Sequence, residues 1–308
     1  MGYLLGFIGV AIFGLTLPAT RLAVVELDPV FIALGRSVLA GVIAVAVLVL
    51  SKAPRPRGAD WPKLAAIAGG IVFGFPLFAT LAMQTATAAH GGVVLAVLPL
   101  ATAVASVMVA GERPSLPFWL AAIAGTLAVL AYVAFANGGG DAGVVTSARD
   151  GVGSVGAGAF LRIEAADLLL LAAVLSAALG YALGGSLSRT MGGWQVICWA
   201  LVVSLPLLVL TLSLMGLWRI PSGVSMGAWS GFFYVAIGSQ FLGFFFWNKG
   251  LALGGIAKVG QVQLLQTFVT LFAAWLLLGE AIGALEIGFA LLVAVIVAMG
   301  ARARVRLR

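Results

Sequence analysis

Hydrophobic residues fall in ten runs of about 20 residues, separated by short segments that contain most of the charged and polar residues. A helix of about 20 residues crosses the roughly 30 Å hydrocarbon core of a bilayer. The pattern therefore predicts an all-α integral membrane protein with ten transmembrane helices. The predicted spans are residues 3–25, 29–51, 62–86, 91–111, 115–136, 167–189, 193–217, 226–248, 256–278 and 282–301.

Composition supports the same class. The 308 residues are 63% hydrophobic and 9% charged, and the mean hydropathy is +1.19, which excludes an ordinary water-soluble domain. The net charge of +7 is therefore no sign of nucleic-acid binding. The single cysteine, Cys198, lies in an apolar run, which excludes an intramolecular disulfide and a cysteine metal cluster. We expect no metal, no cofactor and no nucleic-acid partner, only the lipid bilayer and a small-molecule substrate.

The basic residues predict the orientation of the spans. Positive side chains favour the cytoplasmic side of a membrane. With both termini in the cytoplasm, twelve basic residues face the cytoplasm and four face outside, with Arg36 inside the second span. The cytoplasmic set is Lys52, Arg55, Arg57, Lys63, Arg113, Arg189, Lys249, Lys258, Arg302, Arg304, Arg306 and Arg308.

The chain divides into two halves of five spans. Residues 137–166 are rich in Gly and Ser and read as a flexible external linker between a first repeat, 1–136, and a second, 167–308, that ends in a basic cytoplasmic tail. At an offset of 168 residues, Gly111-Glu112 aligns with Gly279-Glu280 and Thr102 with Thr270. Because five is odd, the second half enters the membrane in the opposite orientation. The expected fold is a 5+5 inverted-topology repeat, which places a substrate site near the midplane.

Several motifs occur in a familiar order. They are Phe13-Gly-Leu-Thr-Leu-Pro18, the run from Asp28 to Ala40 around Arg36, the two Gly-Glu pairs and Ala166-Asp167-Leu-Leu. Together they make the chain resemble the drug/metabolite transporter superfamily, specifically its EamA-type ten-span members. The resemblance implies that spans 1–4 and 6–9 surround a central cavity. It also implies export or uptake of small metabolites, amino acids or drugs.

Arg36 is the most distinctive candidate site residue. It lies about 10 Å below the outer surface, seven residues into the second span. An ionised side chain at that depth is costly and suggests a functional role. Its guanidinium can bind a substrate carboxylate through two hydrogen bonds. The alternative is a structural arginine that extends to the interface or pairs with Glu26, Asp28 or helix-end carbonyls.

Polar and aromatic residues form a second candidate surface on spans 8 and 9. Four polar residues of span 9 recur at i, i+3, i+4 and i+7, the spacing of one helical face: Gln263, Gln266, Thr267 and Thr270. Span 8 presents Gln240, Phe244, Trp247 and Asn248 in a similar way, and Tyr181 and Trp199 are further candidates. The alternatives are interhelical hydrogen bonding for the amides and an interfacial anchor for Trp247.

Two prolines and two carboxylates complete the set. Pro18 and Pro99 each remove a helix hydrogen bond and are candidate hinges, although such kinks also simply shape a bundle. Glu112 and Glu280 lie at helix ends, where a structural role is expected. No carboxylate lies centrally in a predicted span, so the sequence offers no clear proton-coupling residue.

These features favour a secondary transporter in the cytoplasmic membrane that exports amino acids or related metabolites by alternating access, as a monomer or homodimer. A multidrug or quaternary-amine exporter is the alternative within transport. A non-transporting scaffold or receptor is an alternative from another class. An integral membrane enzyme needs a cluster of reactive side chains in one pocket, and the sequence offers none.

Overall fold

The computed structural model describes residues 1–86, 91, 94–138, 165–218, 222–278 and 284–306. Over these residues the chain is almost entirely helical. Seven helices are long and apolar enough to cross a membrane, and three more apolar helices of the described chain are shorter, Leu95–Ala110, Leu116–Ala128 and Ile287–Arg302. The protein is therefore an all-helical, multi-span membrane protein. The count of ten spans stays a prediction.

We number the helices in chain order. The first half contains α1 (Gly2–Val24), α2 (Pro29–Leu50), α3 (Gly58–Ala82), α4 (Leu95–Ala110) and α5 (Leu116–Gly138). The second half contains α6 (Ala165–Met191), α7 (Gly193–Leu214), α8 (Met226–Gly254), α9, made of Ile256–Gly260, Gln261–Leu265 and Gln266–Leu278, and α10 (Ala284–Arg302). A short antiparallel ribbon joins β1 (Arg113–Pro114) to β2 (Val305–Arg306).

The linker predicted for residues 137–166 lies almost wholly outside the described residues. Its two described ends are helical, because α5 continues to Gly138 and α6 begins at Ala165. Glu280 also lies outside the described residues.

Glycines set the closest helix contacts. A Cβ on Gly2 would lie 2.7 Å from the backbone nitrogen of Gly254, and one on Gly250 would lie 2.7 Å from the backbone nitrogen of Gly6. The N-terminal end of α1 and the C-terminal end of α8 thus touch backbone to backbone, as small residues four apart allow in membrane helices. In the same way α3 meets α6, where a Cβ on Gly70 would lie 2.5 Å from the carbonyl oxygen of Ser176. Both contacts join the first half to the second.

Proline breaks the first helix. Pro18 has no N–H to donate to the carbonyl of Gly14, and the helix is interrupted at Leu15, between Gly2–Gly14 and Thr16–Val24. The hydroxyl of Thr270 on α9 donates to the freed carbonyl of Gly14 at 2.8 Å. The break is therefore stabilised by a side chain from the other half.

Irregular turns recur at an offset of 168 residues. The π-helical stretch Ala68–Gly74 in α3 corresponds to a stretch within Tyr234–Gly243 in α8. The tighter 3₁₀ stretch Leu95–Val97 in α4 corresponds to part of Gln261–Leu265 in α9. The two halves thus share their helix irregularities as well as their hydropathy. Leu15 is an exception, because α1 is interrupted there whereas α6 continues through the equivalent Leu183.

Two neighbouring glycines provide a test of the α3–α6 contact. Gly70→Ala forces backbone to move, since the added Cβ meets the Ser176 carbonyl oxygen, whereas a Cβ on Gly69 meets nothing within 4 Å. Overpacking of this kind costs about 1–3 kcal/mol. We expect thermal unfolding in detergent to show a lower melting temperature for Gly70→Ala and an unchanged one for Gly69→Ala. Equal melting temperatures would contradict the close contact.

Candidate functional site

Arg36 is buried inside the protein, with only 2% of its surface exposed. Its Nη2 donates to Oε1 of Gln240 at 2.8 Å and lies 3.5 Å from the hydroxyl of Ser239. Its Nε has no hydrogen-bond partner. The side chain therefore points inward from α2 to α8 and does not extend to the membrane surface.

An irregular turn in α3 positions Gln240. Pro76 lacks an N–H, and the Phe75 N–H donates to the carbonyl of Gly70, five residues back. This π-turn leaves the carbonyls of Ile71 and Val72 without their usual helical donors. Gln240 Nε2 donates to the Ile71 carbonyl at 3.1 Å and the Ser37 hydroxyl donates to the Val72 carbonyl at 3.2 Å. The amide of Gln240 is thus held at one end by α3 and presents its oxygen to Arg36.

The carboxylates nearest to Arg36 in the sequence are engaged elsewhere. Asp28 caps α2 by accepting the N–H groups of Val30 and Phe31 at 2.8 and 3.0 Å. Glu26 accepts the N–H and the hydroxyl of Ser225, and these two bonds hold the pKa of Glu26 below its ordinary value. Among the described residues no carboxylate forms an ion pair with Arg36. The positive charge therefore has only neutral partners, which contradicts the alternative of pairing with Glu26 or Asp28.

Arg36 lines a small cavity between the two halves. The volume in which the centre of a water molecule can lie is about 10 Å³, which is roughly enough for one water. Gln266 also lines it, and the Oε1 of Gln266 is buried without a hydrogen-bond partner. The full lining is Phe13, Thr16, Leu17, Arg36, Phe75, Leu95, Tyr181, Ser239, Phe244 and Gln266. An unsatisfied donor and an unsatisfied acceptor thus meet at one cavity.

Aromatic rings form one side of this cavity. Phe13, Tyr181, Phe244 and Trp247 pack together with ring centroids 5.0–6.3 Å apart. Trp247 is fully buried behind Tyr181, which is inconsistent with an interfacial anchor. An apolar or aromatic group of a solute would meet these rings, and a charged one would meet Arg36.

The four polar residues of α9 have different surroundings. A 3₁₀ stretch, Gln261–Leu265, turns about 120° per residue, so side chains three positions apart point in nearly the same direction. Gln263 accepts a hydrogen bond from Thr102 at 3.3 Å, Gln266 faces the cavity and Thr270 reaches Gly14. Thr267 is buried and is not part of the cavity lining. The common polar face therefore stays a prediction, and of the four residues only Gln266 lines the cavity with Arg36.

The remaining candidates lie farther from the cavity. Asn248 donates to the carbonyl of Gly193 at 3.3 Å and packs against Gly184 of α6. Trp199 packs edge-on against Trp61, with ring centroids 6.0 Å apart, and neither ring lines the cavity. Pro99 follows the 3₁₀ turn of α4, in which the Leu98 N–H donates to Leu95. In the described part of the chain, no three His, Cys, Asp or Glu side chains come together to hold a metal.

Comparison with known proteins identifies the family. The model of the EamA-like transporter family matches residues 1–134 and 164–300. The chain belongs to the EamA-like transporter family. It is 43% identical over 282 residues to the uncharacterized transporter YdeK of Bacillus subtilis (strain 168), covering 92% of this chain and 90% of that protein. A crystal structure with 17% sequence identity superposes with a TM-score of 0.69 over 98% of both chains and shares the fold.

This EamA-like transporter carries site residues that the sequence did not single out. Thr16 donates to Ser239 at 2.8 Å and both line the cavity. The run Gly238-Ser239-Gln240 in an apolar span was a usable signal for Ser239. The sequence does not predict that the carbonyls of Ile71 and Val72 accept side-chain hydrogen bonds, because every residue has a backbone carbonyl. Only Pro76, which lacks an N–H, indicates that a carbonyl nearby has lost its helical donor.

Glu112 occupies a second polar site in this EamA-like transporter, at the end of α4. Its carboxylate accepts the N–H groups of Ile256 and Ala257, at 2.9 and 2.7 Å, and so caps the N-terminus of α9. It also forms an ion pair with Arg189 at 2.7 Å. Glu112 is 1% exposed. The helix-end role expected for Glu112 is therefore what the structure shows, and the residue also joins the two halves.

Substitution of Gln240 tests the arrangement around Arg36. Gln240→Leu leaves Arg36 Nη2 and the Ile71 carbonyl without these partners, and an unsatisfied buried group costs about 1–3 kcal/mol. Gln240→Glu keeps an acceptor for Arg36 and adds an opposite charge. We expect a clearly lower melting temperature for Gln240→Leu than for Gln240→Glu. If Gln240→Leu unfolds at the wild-type temperature, Gln240 does not support Arg36.

Proposed function

We propose that this transporter moves a small carboxylate-bearing solute by alternating access, and that it exports amino acids or related metabolites. One observation carries the proposal. Arg36 is a buried cation with a free donor, and it lines the same cavity as the free acceptor of Gln266. The carboxylate of an amino acid would bind Arg36 and its ammonium group would bind Gln266. Phe13, Tyr181 and Phe244 would contact its side chain.

Electrostatics weigh against the alternative of a quaternary-amine exporter. A cationic substrate would enter a cavity that already contains an unpaired guanidinium. Two like charges in a low-dielectric site repel strongly. Discrimination between carboxylates and amines therefore follows from Arg36 alone.

The proposed carrier has ten spans in a 5+5 inverted repeat, with residues 1–136 and 167–308 as the repeats and both termini in the cytoplasm. The recurrence of the π-helical and 3₁₀ stretches at one offset supports this arrangement. The excess of basic residues on the predicted cytoplasmic side supports a location in the cytoplasmic membrane with both termini in the cytoplasm. Export is the proposed direction; the family resemblance implies either export or uptake.

Transport by purified protein in liposomes tests the substrate class. The assay is counterflow of labelled amino acids, with a quaternary amine as the alternative substrate. We expect Arg36→Gln to lower amino-acid flux at low concentration by about 100-fold, because a buried charged contact contributes on the order of 3 kcal/mol. Gln266→Ala lowers it as well, whereas Gln84→Ala, at an exposed glutamine, leaves it unchanged.

The melting temperature separates binding from structure in these variants. Arg36→Gln removes a costly buried charge, which offsets the hydrogen bond that Gln240 loses. Arg36→Gln is therefore expected to keep a melting temperature close to that of the wild type while it loses flux. Unchanged amino-acid flux in Arg36→Gln, or saturable flux of the amine alone, would overturn the proposed substrate class.

Pro18 and Pro99 are proposed hinges, and Pro18 is the clearer case. Pro18→Ala restores an N–H that competes with Thr270 for the Gly14 carbonyl and favours a straight α1. We expect the maximal counterflow rate to fall several-fold while the melting temperature stays equal or rises. Pro206→Ala, at a proline inside α7, is the control and should leave the rate unchanged. An unaltered rate in Pro18→Ala would argue that the break only shapes the bundle.

A further inference from the structure

Two arginines occupy equivalent positions in the two halves. Arg21 near the end of α1 and Arg189 near the end of α6 are 168 residues apart, the offset at which the helix distortions recur. In the expected topology Arg21 lies at the outer ends of the helices and Arg189 at the inner ends. Each therefore sits beside one of the two mouths that would lead to the central cavity.

At the outer end, Arg21 binds the C-terminus of α3. Its Nη1 donates to the carbonyl of Met83 at 2.6 Å and lies 3.4 Å from the carbonyl of Ala86. The last carbonyls of a helix lack helical donors and carry a partial negative charge. A cation on α1 thus holds the end of α3.

At the inner end, Glu112 binds the N-terminus of α9. Its two oxygens accept the first N–H groups of α9, which carry a partial positive charge. Arg189 does not bind a helix end; it forms the ion pair that holds Glu112 in position. An anion on α4 thus holds the start of α9, with Arg189 as a positioning residue.

The two contacts join different pairs of packed helices. Close backbone contacts tie α1 to α8 and α3 to α6. The Arg21 contact joins α1 to α3. The Glu112 contact joins α4 to α9. Helix α4 packs on α6, whereas α9 packs on α1. Both charged contacts therefore span the boundary that must open for a solute to leave the cavity.

We propose that Arg21 bound to the end of α3 is the outer latch, and that Glu112 bound to the start of α9 is the inner latch, of opposite charge. Opening to the cytoplasm breaks the inner latch, and opening to the outside breaks the outer latch. This inference rests on the proposed alternating access, but it concerns the two mouths and not the identity of the substrate.

Cysteine labelling in proteoliposomes tests each latch without a substrate. In a Cys198→Ala background, Ser106→Cys reports on the inner mouth and Thr80→Cys on the outer mouth; both native side chains are buried. A membrane-impermeant maleimide is added to the lumenal or external side of oriented vesicles. We expect Glu112→Gln to increase the labelling rate of Ser106→Cys at least about tenfold, because loss of an ion-pair partner shifts the population toward the open form. Arg21→Gln increases the labelling rate of Thr80→Cys instead.

Matched variants separate a latch from general loosening. Arg113→Gln removes an exposed positive charge next to Glu112 and should leave both labelling rates unchanged. Arg189→Gln keeps the carboxylate at the α9 cap and should increase the labelling rate of Ser106→Cys, with no further increase in the double variant with Glu112→Gln. If either latch variant increases both rates equally, or neither rate while the protein remains folded, the proposal is overturned. Shifted labelling with no amino-acid flux would leave the latches standing and remove the substrate assignment.

Discussion

The structure depends on one buried positive charge without an acidic partner among the described residues. A guanidinium in an apolar bundle is costly unless its hydrogen bonds are made. Here the compensation for Arg36 comes from a neutral oxygen of Gln240, which in turn requires a carbonyl from α3. A carboxylate at the same place would neutralise the charge and leave nothing for an anionic solute. The choice of an amide keeps the charge available at the cavity.

Irregular helices supply the polar groups that an apolar span otherwise lacks. In a regular helix each interior carbonyl already accepts one backbone hydrogen bond, so a side chain on a neighbouring helix finds fewer free acceptors. Proline and π-turns release carbonyls at Gly14, Ile71 and Val72, and each accepts a hydrogen bond from another helix. Two of these bonds cross between the halves. The polar interior of the site and the attachment of one half to the other are therefore made by the same hydrogen bonds.

Sequence patterns within single segments predicted the features that depend on the hydropathy and charge of neighbouring residues. Hydropathy located the helical segments, and the rarity of charge in a span singled out Arg36, which the structure buries at the cavity. The order of motifs identified the family. The partners of individual side chains were not predicted, because they come from distant parts of the chain. Spacing along α9 does not say that Gln263 meets Thr102 or that Thr270 meets Gly14, and no rule of spacing places Trp199 against Trp61. Glu112 was recognised as a helix-end residue, but its partners lie 77 to 145 positions away in the chain.

The glycine contacts between α1 and α8 have a consequence for biosynthesis. Gly2 and Gly6 expose backbone along one side of α1, and the helix that covers it is made only after seven others. During translation the first five helices must wait in the bilayer with that side facing lipid or one another. A chain cut between residues 138 and 165 would therefore yield two fragments, one with the glycine surface of α1 uncovered and one with that of α8 uncovered. Assembly of this bundle is completed late, when α8 closes on the first helix to be inserted.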